Sequence, residues 1–165
     1  MSSELTTSGT TLVTTPAPTE IVTERIFDAP RQLVFETYLD PRYIPEFWGP
    51  RNTTTVVDKM DVRPGGQWRF IHDPGTDQET AFRGEYLEVK PPESITQTFE
   101  WEGLPGHVIT ETTKFEDLGD GRTKLRTLSV FDSVDDRDGM IASGMESGQR
   151  DLHDRFAELL ARLSG

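Results

Sequence analysis

Few side chains in this chain are equipped for chemistry. There are three histidines, His72, His107 and His153, and no cysteine. The histidines lie far apart and none has metal-ligand spacing. Asp151 and Asp154 flank His153, but no H-E-x-x-H run is present. Without thiolates there is no disulfide framework, no Cys nucleophile and no thiolate metal site. No metal and no cofactor are expected. The carboxylate of interest is Glu111. Alternation over Val108–Phe115 puts Ile109, Glu111, Thr113 and Phe115 on one face. Alternation over Ser94–Trp101 likewise groups Ile95, Gln97, Phe99 and Trp101. If these faces turn inward, Glu111 and Gln97 are buried polar groups. A buried carboxylate must pair, with Arg83 or Arg126 for example, or shift its pKa upward. A carboxyl so shifted can serve as a general acid or base. If a bulge slips the alternation, Glu111 is solvated instead. The sequence leaves both readings open. His72 shares a face with Trp68 and Phe70 and is the one histidine that can reach an interior, although a rim position is the plainer reading. His107 falls at a strand start and His153 is expected to face solvent. Tyr86 completes the set of candidates for proton transfer, with Glu111 and His72.

Aromatic side chains dominate the strand-like segments: Trp68, Phe70, Phe82, Tyr86, Phe99, Trp101 and Phe131. Large aromatics fill ordinary cores, but the same faces can wall a ligand site. Gly144 and Gly148 sit four apart in a helical pattern. Each glycine costs a helix about 1 kcal/mol against alanine, so close approach of a strand or ligand is the expected reason. Met140 and Met145 beside them are flexible and polarisable, and adapt to varied apolar contacts.

These residues must be positioned by the elements around them. Ile21–Phe27 alternates as a strand. Pro30 suits the first position of a helix carrying Leu33, Val34, Phe35 and Tyr38. Asp40-Pro41 repeats the device, with Asp40 as N-cap of a short helix toward Phe47. Strand patterns then run over 53–62, 67–72, 80–89, 94–101, 108–115 and 123–131. Turns lie between them at Pro64-Gly65-Gly66, Asp73-Pro74-Gly75 and Asp120-Gly121. Gly84 reads as a bulge or bend. Ser133 with Asp136 resembles a capping box. Ile141, Met145, Gly148, Leu152, Phe156, Leu159 and Leu163 then recur at steps of three and four, along one face of a single long helix. Arg155 and Arg162 complement its dipole. That apolar stripe requires a sheet beneath it.

The chain has 165 residues, which suits one domain and one core. Lys and Arg total 17 against 29 Asp and Glu, a formal charge of −12. Such a balance argues against nucleic acid, which needs clustered Lys and Arg, and against anionic lipid. No apolar run reaches the ~20 residues of a membrane helix, and Met1–Thr19 lacks the basic start and apolar stretch of a secretory signal. Residues 1–19 read as a Ser/Thr/Pro-rich leader in which Thr10–Thr15 can add an edge strand; residues 20–163 read as one domain. Cysteine-free composition fits a cytoplasmic location.

Several stretches together resemble one family. They are Arg25-Ile26-Phe27-Asp28-Ala29-Pro30 with Val34-Phe35, and Asp40-Pro41 followed by Phe47-Trp48-Gly49-Pro50, where Phe47 replaces a Trp. Arg63-Pro64-Gly65-Gly66-Gln67-Trp68-Arg69-Phe70 follows, then Phe82-Arg83-Gly84-Glu85-Tyr86 with Val89-Lys90-Pro91-Pro92-Glu93. The last is Ser143-Gly144-Met145-Glu146-Ser147-Gly148. Their order over residues 20–163 is similar to the AHSA-type family of the START-like (SRPBCC) helix-grip superfamily, named for an activator of a heat-shock-protein ATPase. The resemblance implies an α+β fold: a curved antiparallel sheet of about six to seven strands wrapped around the C-terminal helix, with two short helices after the first strand.

The resemblance also implies a cavity between sheet and C-terminal helix, of about 300–1,000 Å³ if it takes a small molecule. Its expected walls are Trp48, Trp68, Phe70, Phe82, Tyr86, Gln97, Phe99, Trp101, Glu111, Thr113, Phe131, Ile141, Gly144, Met145 and Gly148. Superfamily members bind lipids, hormones and polyketides, and some are cyclases or dehydratases. Three functions follow in order: binding of a small apolar or aromatic ligand; a cyclase, dehydratase or hydrolase activity in the same cavity; and a stress-related co-chaperone-like contact. A homodimer through an exposed sheet edge is compatible with the pattern.

Overall fold

The computed structural model describes residues 9–164. Eight antiparallel strands form one sheet: β1 (Leu12–Thr14), β2 (Glu20–Phe27), β3 (Thr55–Met60), β4 (Gln67–His72), β5 (Thr80–Lys90), β6 (Ser94–Trp101), β7 (Ile109–Asp117) and β8 (Thr123–Val130). The helices are α1 (Arg31–Tyr38), α2 (Ile44–Phe47), α3 (Val134–Ala142) and α4 (Met145–Ser164). The spatial order is β1-β2-β8-β7-β6-β5-β4-β3. After β2 the chain leaves one side of the sheet, crosses through α1 and α2, and re-enters at the opposite edge as β3. Hairpins then bring it back strand by strand until β8 lies beside β2. The expected six to seven strands become eight because the leader contributes β1, paired to β2 through Val13 and Thr23. Residues 1–8 of that leader lie outside the described residues.

The strands present one apolar face to the helices. Phe27 of β2 meets Phe156 of α4 edge-on, with ring centroids 5.2 Å apart. Phe115 of β7 meets Phe35 of α1 at 4.9 Å. In α4 the buried positions are Leu152, His153, Phe156, Leu159 and Leu160, a stripe that returns every turn. Phase along β5 is corrected by a bulge between Tyr86 and Glu88, which returns Val89 to the core side. Gly84, expected to be that bulge, serves another purpose: a Cβ there would collide with the Thr98 carbonyl and the Trp68 indole. The glycine lets Trp68 lie flat on the strand.

Helix boundaries differ from the sequence reading in three places. Pro30 is the N-cap of α1, so the helix starts at Arg31, one residue later than expected. Asp40 does not cap a helix at Pro41; its carboxylate accepts from the Arg42 backbone N–H at 2.9 Å, making a turn, and α2 begins only at Ile44. The long C-terminal helix is two helices. Gly144 at φ +86° is left-handed, a conformation that costs a side-chain-bearing residue and ends α3. No atom crowds its Cβ position, so close packing does not explain it. Gly148, within α4, has only the Pro50 ring at 3.8 Å.

Candidate functional site

A cleft of about 560 Å³ opens between the sheet and α3. That volume lies within the range of roughly 300–1,000 Å³ typical of small-molecule sites. Strand alternation builds its floor. Phe82 of β5, Phe99 and Trp101 of β6, and Ile109 of β7 project to the same side, because Phe99 is registered with Ile109 and Phe82 with Trp101. Phe131, just past β8, closes the inner end. Phe82 and Phe99 lie 5.4 Å apart at 32°. Trp101 is 44 % exposed at the mouth, with its indole N–H donating to Thr80 Oγ1 at 2.6 Å. Leu104, on the β6–β7 turn, stands beside it.

The roof is α3, which supplies Asp135, Asp136, Gly139 and Met140, with Ser143 following. Ser133 caps it as expected, accepting from the Asp136 N–H at 3.0 Å. No residue of α3 is buried. Met140 packs, partly buried, against Ile21, Ile109 and Phe131, and polar ties add to that contact. His107 Nδ1 lies 2.9 Å from Asp136; an ionised carboxylate only accepts, so the imidazole donates. Arg137 donates to the Ala17 carbonyl at 3.2 Å.

The residues named from the sequence do not all meet in one place. Phe82, Phe99, Trp101 and Phe131 line the cleft. Trp48, Phe70, Tyr86 and Gln97 surround a separate space of about 30 Å³ with Tyr38, room for roughly one water. Trp68 is core, and its Nε1 finds no partner. Ile141 and Gly144 are exposed and line neither space; Met145 packs instead against Ile21, Ile109 and Phe131. The expected roof of the cavity, the long C-terminal helix, is therefore replaced by the short one.

Glu111 and Thr113 continue β7 inward from Ile109. Glu111 is registered with Gln97 and Ser129, so the inward reading of its face holds. Burial raises its pKa above the usual carboxylate range, partly offset by Ser129, whose hydroxyl donates to it at 3.0 Å. The arginines expected as partners go elsewhere, Arg83 to Glu100 and Arg126 to Glu24. Thr113 shares a hydrogen bond with Thr127 at 2.9 Å. Burial also raises the Tyr86 phenol, which therefore stays protonated.

His72 does not line the cleft. It lies edge-on to Phe82 at 6.3 Å and packs beneath Gly49. The histidine at the cleft is His107, which sequence alternation could not pair with an aspartate 29 residues away. His153, expected in solvent, is fully buried: Thr11 Oγ1 meets its Nδ1 at 2.9 Å and Phe27 covers its ring. Burial, reinforced by the charge of Arg25 and opposed by Asp154, pushes its pKa down to about 3. Arg155, read as a dipole partner, instead donates to the carbonyls of Gly49 at 2.9 Å and Pro50 at 3.2 Å, tying α4 to the turn that carries Trp48. Among the described residues no group of three or more acidic or histidine side chains could hold a metal ion, and no helix is long and apolar enough to cross a membrane.

A curved antiparallel sheet gripping a long C-terminal helix is the helix-grip fold. Residues 28–161 match the family of Activator of Hsp90 ATPase homolog 1-like proteins, and the chain belongs to that family. Solved structures agree in fold. A protein from Arthrobacter aurescens is 22 % identical with a TM-score of 0.82, covering 92 % of this chain and 91 % of that one. A protein from Chromobacterium violaceum is 25 % identical with a TM-score of 0.75, covering 87 % and 98 %. An HSP90 activator from Plasmodium falciparum is 18 % identical with a TM-score of 0.53, covering 68 % and 72 %. None of the curated proteins compared matches the chain.

Proposed function

We propose that this protein binds a small apolar or aromatic molecule in the cleft between β5–β7 and α3. The observation that carries the reading is the cleft itself: about 560 Å³, floored by Phe82, Phe99, Trp101 and Ile109. Aromatic walls on a rigid sheet offer stacking and apolar burial without prior rearrangement. The roof has no fully buried residue and rests on the Met140 contact and polar ties, so a ligand can enter by displacing α3 with little loss of core packing.

A neutral fluorescent aromatic, N-phenyl-1-naphthylamine, tests it. Saturable binding is expected. Met140→Trp fills the cleft from the roof and should weaken binding about tenfold or more while the chain stays folded. No saturable binding, or equal binding by Met140→Trp, overturns the reading.

An enzymatic reading is favoured by one observation, the buried Glu111 carboxyl two residues inward of Ile109. A proton-transfer role predicts that Glu111→Gln loses turnover while keeping ligand affinity. A co-chaperone-like role rests on the family and on the Plasmodium falciparum structure. It predicts stimulation of an Hsp90 ATPase by the purified chain.

A further inference from the structure

We infer that the ligand of this cleft is an amine: an aromatic or apolar body carrying a cationic ammonium group seated at the α3 end. The inference rests on the binding reading above and names its ligand class. Three observations point the same way. The charged side chains lining the cleft are Asp135 and Asp136; no lysine or arginine lines it. His107 donates its Nδ1 proton to Asp136, while among the described residues no side chain pairs with Asp135. The arginines on the neighbouring strands are also committed, Arg69 to Glu102 and Arg83 to Glu100.

The opposite wall presents Trp101, Phe82 and Phe99. Aromatic faces attract a cation through the ring quadrupole, most strongly when it is partly desolvated. Carboxylates on one side and aromatic rings on the other make a setting that favours an ammonium group and penalises a carboxylate. A fatty acid or other anionic amphiphile would place its head against two aspartates with no lysine or arginine in the lining. Charge-assisted hydrogen bonds are about twice as strong as neutral ones, so the head group decides among ligands of equal apolar area.

The experiment uses three probes with one naphthalene body: 1-naphthylmethylamine, 1-naphthalenemethanol and 1-naphthoic acid. Dissociation constants are measured by calorimetry at pH 7.5 and 0.15 M salt, where the Debye length of about 8 Å damps the general attraction of a −12 chain for cations. The amine should bind about tenfold tighter than the alcohol, and the acid more weakly than the alcohol. Asp135→Asn tests the exposed carboxylate without touching the His107 tie, and Asp135→Asn/Asp136→Asn tests both. The amine-to-alcohol ratio should fall with the first and approach unity with the second.

An acid binding as well as the alcohol overturns the inference, as does an amine no tighter than the alcohol. An amine preference that survives the double variant also overturns it, since net charge then explains the preference. In each of those cases the alcohol still binds and the cleft reading stands. Failure of all three probes overturns the cleft reading and this inference with it.

Discussion

Single residues set how stability responds to pH, and two buried groups act with opposite signs. His153 has a folded pKa of about 3 against 6.5 when unfolded. Between those values the unfolded chain holds a proton that the folded chain does not, so stability falls as pH falls through that window. Glu111 has a raised folded pKa. Between its unfolded and folded values the folded chain holds a proton that the unfolded chain does not, so stability rises as pH falls through that window and the burial cost is relieved below the unfolded value. Chemical denaturation of His153→Gln from pH 7 to 3 should show a shallower acid decline than wild type. Glu111→Gln should be more stable than wild type at pH 7, with the gain gone by about pH 4. An unchanged slope in the first, or a loss at pH 7 in the second, contradicts these assignments. The inward face of Glu111 was legible because β7 alternates without interruption from Ile109 to Phe115. The burial of His153 was not. Its neighbours in sequence are Asp151, Asp154 and Arg155, and what covers it is Thr11, from a segment with no apolar pattern tying it to a helix 142 residues on.

At the scale of elements, the instructive case is the break between α3 and α4. Periodicity from Ile141 to Leu163 is continuous on paper, because a left-handed residue adds no visible interruption when it is glycine. Two glycines in one helical stretch were a signal of some special demand, but the demand at Gly144 is backbone conformation, not close packing. Gly144→Ala forces a Cβ into that conformation and should destabilise by about 1–2 kcal/mol. The neighbouring Gly139→Ala, in a regular turn with nothing near its Cβ, should be neutral or slightly stabilising. Equal effects in thermal unfolding would contradict the helix break. The strands were read more faithfully. Turn residues marked their ends, and the β7–β8 hairpin at Asp120-Gly121 lies where its sequence puts it. The bulge in β5 was misplaced, since a bulge and a close approach both call for a glycine in a strand and the sequence alone does not separate them.

The whole molecule is an open sheet whose first full strand ends beside its last. That closure depends on α1 and α2 carrying the chain across to β3, a long-range pairing that alternation within single strands does not encode. The order of elements and the apolar stripe of α4 nevertheless imply a sheet wrapped on a helix, and the family motifs in sequence order specify the helix-grip arrangement. The location of the cleft is a property of the assembled fold. It lies where α4 stops and α3 turns away, leaving the ends of β5, β6 and β7 covered only by a helix with no buried residue.

The three tryptophans of the chain allow the most direct test of the cleft as a binding site. Trp101 lines it, Trp48 borders the smaller space, and Trp68 is sealed in the core. Indole N–H resonances recorded during titration with 1-naphthalenemethanol should show a saturable shift for Trp101 and none for Trp68. A titration in which no indole shifts at saturating probe, or in which Trp48 or Trp68 responds while Trp101 does not, would contradict the account.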